Sequence, residues 1–249
     1  MKRYSRALLV VMALAMFCAP ALAQDPAPPA PPKMWTVTAG GGLAVTNGNS
    51  DTSTVNASYE ITYDPHVRNI VKSDGLFLHG TTESELSADR LSLNGRDEFK
   101  FNGRAYVFGQ NQFLRDRFKD ITYLLAPTAG VGYSVVATKT TMVGIDVGVG
   151  GVWEKNRGLD VAASGAAALG EKLAHALTAT TSVSQSYSGL WKTTDTSDSL
   201  HIFTVGIAAA VTSRTQIKFD VLDTLKNKPP LATIHKNDVA TLVSLVYKL

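Results

Sequence analysis

The sequence predicts an all-β fold: a closed antiparallel transmembrane β-barrel of about 12 strands in an up-and-down meander. Three observations carry this. From Trp35 onward, apolar residues recur at every second position, the period of a strand and not of a helix. The alternating runs are of bilayer length, since a tilted strand crosses with about 9–11 residues whereas a globular strand has about 5–6. Aromatics gather toward the run ends (Trp35, Tyr59, Tyr63, Tyr106, Phe108, Tyr133, Trp153, Tyr187 and Tyr247), where amphipathic rings suit membrane interfaces.

The chain has 249 residues, 45% hydrophobic and 18% charged, a composition that can build a packed domain. Its start stands apart. Lys2, Arg3 and Arg6 precede an apolar run, Ala7 to Ala23, that closes on Ala21-Leu22-Ala23. A basic start, an apolar middle and a small-residue exit read as a cleaved secretory signal peptide over 1–23. "QDPAPPAPPK" follows, so 24–34 reads as a proline-rich, extended spacer. The barrel then occupies 35–249.

Cleavage changes the charge balance. The whole chain holds 24 basic and 21 acidic residues, and three basic residues and no acidic ones precede Gln24. The remainder is therefore neutral, which removes the electrostatic case for a nucleic-acid partner. The single Cys, Cys18, leaves with the signal, so disulfides and cysteine-metal sites are excluded from the mature chain.

Turn signals between the runs place strands near 35–46, 53–64, 70–80, 89–101, 105–116, 121–135, 140–154, 160–170, 175–187, 199–212, 215–225 and 237–249. The first two flank "NGNSD". Asn47, Asn49 and Asp51 imitate the opening ligands of a calcium loop, but the positions that demand Gly and Glu hold Thr52 and Ser58. The knot reads as a turn. "FNGRA", "ATKT" and "TSRT" are tight links; "TTESELSA", "SGLWKTTDTSDS" and "KNKPPLATIHK" are longer and polar. With both chain ends in the periplasm, the tight links fall on that side and the long ones outside.

The stretches "GGLAVTNGNSDTSTVNASYEITYD", "KSDG", "AYVFGQNQFLRDRFKDITYLLAPTAGVGYSVV" and the closing "KNDVATLVSLVYKL" resemble the DUF481 family, also described as salt-induced outer membrane proteins of the YdiY type. The resemblance spans nearly all of the mature chain. It implies an outer-membrane barrel of a Gram-negative bacterium. The closing "ATLVSLVYKL" alternates up to the last position and resembles the signal by which outer-membrane barrels are recognised for insertion, so outer-membrane lipid and the barrel-assembly machinery are the expected partners. The resemblance implies no catalytic residue. The usual aromatic last residue is here Leu249, with Tyr247 two before it.

An enzyme is not expected, and neither is a cofactor. His66, His79, His175, His201 and His235 have no Ser two residues later, no G-x-S-x-G occurs, and no His/Asp/Glu set has metal-ligand spacing. The polar chemistry concentrates in the third to fifth strands. Arg90, Ser92, Asn94, Arg96, Glu98 and Lys100 share one strand face. An Arg or Lys facing hydrocarbon at the midplane costs about 2–4 kcal/mol, so that face belongs in the lumen. Lys72, Asp74, Arg90, Arg96, Glu98 and Lys100 are the candidate lumen-lining residues. The opposite wall, in the seventh to tenth strands, is small: Gly144, Gly148, Gly150, Ser164, Ala166, Ala168, Gly170, Ser182 and Ser184. Two functions fit such a lumen: a narrow pore for small solutes or ions, or a salt-bridged filling in a structural, envelope-stress barrel. A barrel enzyme and a soluble periplasmic barrel rank below them.

Overall fold

The computed structural model describes residues 33–46, 52–83 and 85–249. The expected signal peptide, nearly all of the spacer and the "NGNSD" knot lie outside the described residues. The described chain forms twelve strands in order: β1 Trp35–Thr46, β2 Thr52–Tyr63, β3 Asn69–Thr82, β4 Glu85–Lys100, β5 Ala105–Asp116 and β6 Ile121–Ala137, then β7 Thr141–Asn156, β8 Val161–Ala176, β9 Thr181–Lys192, β10 Ser199–Ala210, β11 Thr215–Lys226 and β12 Asn237–Lys248. Each pairs antiparallel with its neighbours in sequence, and β1 pairs with β12 to close the barrel.

The polarity is inverted relative to a water-soluble barrel. Odd-numbered positions of β12, β11 and β10 face outward and are mostly apolar, among them Val239, Val243, Leu245, Ile217, Phe219, Val205 and Ile207. On β7, Ile145, Val147 and Val149 do the same, Val149 with 70% of its surface exposed. The alternate positions point inward and carry the charge. Two of the aromatics expected at the interfaces belong to that inner face. Tyr106 donates to Asp146 Oδ1 at 2.6 Å, and Phe108 lies under the Arg96 guanidinium, 3.9 Å from its ring centre. Strand parity outweighs aromatic preference here, because 106 and 108 share the face of Gln110 and Gln112.

Closure between β1 and β12 rests on few backbone pairs, Thr38–Lys248 through Gly41–Leu245. A side-chain clamp reinforces it. Asn56 of β2 reaches across β1 to β12, donating to the Val243 carbonyl at 3.3 Å and accepting from Ser244 Oγ at 2.7 Å. Gly42 makes the approach possible: a Cβ there would lie 1.9 Å from the Val243 carbonyl oxygen and 2.6 Å from Asn56 Nδ2.

The links at the terminal end, where β1 begins and β12 ends, are three to five residues long. Asn102, Thr138, Thr178 and Thr212 each tie one with a side-chain oxygen that accepts backbone N–H groups two or three residues on. Such caps fix a turn locally. At the other end the expected length asymmetry is confined to 193–198 and 227–236. "TTESELSA" is not a loop: β3 runs to Thr82 and β4 starts at Glu85, with a register shift at Gly80/Thr81 that breaks the alternation the eye follows.

Candidate functional site in the barrel lumen

Successive inward positions of β3, β4 and β5 place the candidate residues on one wall, because paired residues on neighbouring strands share a face. Lys72 pairs with Arg96 in register, and Asp74 with Asn94. Lys72 Nζ bonds Glu98 Oε2 and Arg96 Nε bonds Glu98 Oε1, both at 2.7 Å. Arg96 also donates to Gln110 at 2.8 Å and, from Nη2, to Asp146 Oδ1 on β7 at 2.9 Å. Asp74 accepts from Asn94 Nδ2 at 2.7 Å. Lys72, Arg96 and Glu98 thus form one network. Lys100 lines the same lumen nearer the termini, and Arg90 belongs to a second cluster nearer the opposite end.

The small-residue wall of β7 to β10 is broken by Asp146 and Lys172. Asp146 was visible as a lone carboxylate on the glycine face of "VGIDVGVGG". Gly132 lets Tyr106 reach it, since a Cβ on Gly132 would meet the Tyr106 ring at 2.3 Å.

Away from the termini the lumen is partly filled. Leu114, Ile121, Leu124, Val152, Leu190 and Leu200 form a buried apolar cluster on the β5–β10 side. Beside it, Glu154 Oε2 meets Lys192 Nζ at 2.8 Å and Lys226 Nζ at 2.9 Å, and both lysines also bond Asp198. On the other side Arg90 of β4 spans to β11, with Nη1 2.6 Å from Thr224 Oγ1 and 3.3 Å from Asp116 Oδ2.

The 227–236 link crosses this end. It joins β11 to β12, six strands around the ring from the β5–β6 link, yet it meets Lys119 of that link. The Lys119 ammonium, fully buried, donates to the His235 and Lys236 carbonyls at 2.8 and 2.7 Å and pairs with Asp238 at 2.8 Å. Lys228 pairs with Asp195 on the 193–198 link at 2.5 Å.

Asp195 is exposed, and its hydrogen bonds from Lys228 and Ser197 hold its carboxyl down at about 2, against an ordinary 3.8. The same pair raises Lys228. A depressed carboxyl stabilises the fold above its unfolded value and loses that contribution as pH falls through about 2. The Asp195–Lys228 contact is therefore expected to be insensitive to pH from 4 to 8. A carboxyl-carbon NMR titration checks it: Lys228→Gln should move the Asp195 midpoint up toward 3.8, and an unchanged midpoint would show that Lys228 does not hold it.

Three cavities run in series. One of about 600 Å3 reaches the terminal end and is lined by Lys100, Gly103 and Ala137 together with the Lys72–Arg96–Glu98 network. It shares Lys72, Asp74, Arg96, Asp146, Lys172 and Ser186 with a middle cavity of about 260 Å3. The middle cavity shares Arg90 and Leu222 with a third of about 290 Å3, which lies against Phe118, His235 and Asp238 beneath the 227–236 link.

On the outer wall lies a group that inspection of the sequence missed. His201 bonds Tyr187 OH at 2.7 Å and Ser199 Oγ at 2.9 Å. The serine stands two residues before the histidine, not after it. Ser199 is only 3% exposed, so this trio pins β9 to β10 and offers no accessible nucleophile.

No curated protein matches the chain in sequence. Among solved structures it is similar to the COG4313 outer membrane channel from Pseudomonas putida F1, with a TM-score of 0.50 and 13% identity, over 91% of this chain and 100% of that one. It is also similar to the translocator domain of the autotransporter NalP from Neisseria meningitidis, with a TM-score of 0.47 and 13% identity, over 98% and 96%. At such identities the likeness concerns the fold. Residues 39–249 match the family described as "Protein of unknown function, DUF481", and the chain belongs to that family.

Proposed function

We propose that this protein sits in the outer membrane of a Gram-negative cell and carries small solutes or ions through a narrow, off-axis passage that is closed in this conformation. Support comes first from the cavities, which follow one another from the terminal end to the underside of the 227–236 link and share lining residues at each junction. The bilayer-length apolar exterior fits outer-membrane lipid, with insertion by the barrel-assembly machinery after export through a cleaved signal. Inward charges are balanced around the largest cavity, where Lys72, Arg96, Lys100, Lys172 and Lys218 face Glu60, Asp74, Glu98, Asp146 and Asp220. The passage is accordingly weakly ion-selective.

A second reading, a non-transporting structural barrel, draws on the apolar cluster around Leu114 and Leu124, which fills part of the lumen. It is the filling of a small barrel by its own side chains. Purified protein in planar bilayers decides between the two. Brief, small conductance steps with weak ion preference are expected. A silent bilayer, for the wild type and for the Lys119 variant described below, would favour the structural barrel. Recovery of the protein in a detergent-free periplasmic fraction would remove the membrane assignment.

A further inference from the structure

We infer that the terminal end of the barrel carries a ring of cations that binds the headgroups of anionic phospholipids, in the leaflet that meets this end. The inference rests on the membrane reading above. Arg68 lies in the 64–68 link, Arg104 in 101–104, Lys139 in 138–140 and Arg214 in 211–214, and Lys248 ends β12. All five are exposed. Against the four link cations, the links of this end hold one carboxylate, Asp64. The two ends treat their cations differently. At the opposite end Arg117, Lys119, Arg157 and Lys228 are each paired with a carboxylate: Asp89, Asp238, Asp120 and Asp195. At the terminal end none of the five cations has an ion pair among the described residues. Their one side-chain hydrogen bond there runs from Arg214 Nη1 to Tyr247 OH at 3.5 Å. Turn formation does not require these charges, since Asn102, Thr138 and Thr212 already tie three of the links.

Placement says what the charges face. They follow the circumference from the β2–β3 link through β4–β5 and β6–β7 to β10–β11 and β12. Each has an exposed apolar side chain within three residues. Val67 precedes Arg68, Phe101 precedes Arg104, Met142 follows Lys139, Val211 precedes Arg214 and Tyr247 precedes Lys248, with exposures between 42% at Tyr247 and 66% at Val67. The 177–180 link lacks a cation and carries Leu177, itself 53% exposed. A cation beside an exposed apolar group suits a lipid interface, with the stem or ring at the acyl boundary and the charge among phosphates. A soluble partner docks on one patch, whereas charges set around most of a rim match a lipid surface. Anionic lipid adds about fivefold in association for each Lys or Arg held near it.

The test refolds the mature chain, residues 24–249, into lipid vesicles and reads which lipid touches the terminal end. Trp153→Phe with Trp191→Phe leaves Trp35, 56% exposed at the start of β1, as the single tryptophan. Brominated phosphatidylglycerol and brominated phosphatidylcholine then compete to quench it. Phosphatidylglycerol is expected to be preferred about fivefold at low salt. The preference should vanish at about 1 M salt, where charges are screened within about 3 Å. Adding Arg68→Gln, Arg214→Gln and Lys248→Gln should bring the two lipids to equality. No preference at low salt, or one that survives the salt or these substitutions, would overturn the ring; the salt arm needs no variant of the ring to fold. A barrel keeping only Trp191, at the other end of β9, should show no preference, and an equal one there would assign the attraction to the barrel as a whole. Salt-sensitive retention of the detergent-solubilised barrel on heparin, without any lipid preference, would give the ring to a soluble polyanion and overturn the lipid assignment. Quenching of Trp35 by both lipids alike refutes the ring and keeps the barrel in the membrane. Quenching by neither removes the membrane reading and the ring with it.

Discussion

Replacing Glu154 with Gln is expected to destabilise the barrel by about 3–5 kcal/mol, the cost of breaking a buried ion pair by removing one partner. Glu154 is 1% exposed and Lys226 is 2% exposed. With Lys192 and Asp198 they form a neutral square of two cations and two anions that joins β7, β9, β11 and the link before β10. The amide leaves two ammonium groups facing a single carboxylate in a site largely closed to water. Because the penalty comes from an uncompensated charge, the double variant Glu154→Leu with Lys226→Met should recover most of it, since Lys192 and Asp198 remain paired. Urea unfolding of the barrel in lipid vesicles, followed by tryptophan fluorescence, reads both. A Glu154→Gln barrel within about 0.5 kcal/mol of wild type would show that the square is solvated and energetically minor.

Lys119→Met should free the 227–236 link and raise conductance. The ammonium is buried and bonded to two carbonyls and to Asp238, whereas the Lys228–Asp195 pair on the same segment is exposed. A hydrogen bond to a charged group contributes about 1.5–3 kcal/mol, so losing this anchor shifts the equilibrium between a docked and a released link by about 10- to 150-fold. Met keeps most of the stem's apolar contact and cannot donate. In planar bilayers the variant should spend markedly more time open than wild type, with unchanged ion preference, because the charges of the middle lumen are untouched. Conductance equal to wild type would mean that the link does not gate the passage and that the Arg90–Leu222 junction does.

Strand order and number were legible because a sheet that faces lipid on one side and a polar lumen on the other must alternate. Failures of the pattern were local and have causes. The eighth strand was expected to stop near 170, and it runs to Ala176. There Glu171 faces outward and bonds Gln185 at 2.6 Å, so an outward carboxylate interrupts the apolar beat just where the eye looks for a turn. The next strand consequently starts at Thr181, later than the expected 175. Tyr106 and Phe108 were misplaced for a related reason: the residue type suggested an interface, whereas parity put them in the lumen.

The candidate wall was legible by the same parity, so Lys72, Asp74, Arg90, Arg96, Glu98 and Lys100 emerged as one face. Their partners did not. Asp146 lies 50 residues from Arg96 along the chain, and Thr224 lies 134 residues from Arg90. Such pairs depend on how far the ring of strands carries one wall toward another, and alternation along a single strand holds no information about that distance. The sequence by itself therefore determined an alternating barrel of about twelve strands and the strand face that bears its charge, because hydrophobic periodicity is a property of each strand alone. Closure of the ring decided the rest: which charges cancel, where an apolar cluster narrows the lumen, and how Lys119 holds a link across the mouth.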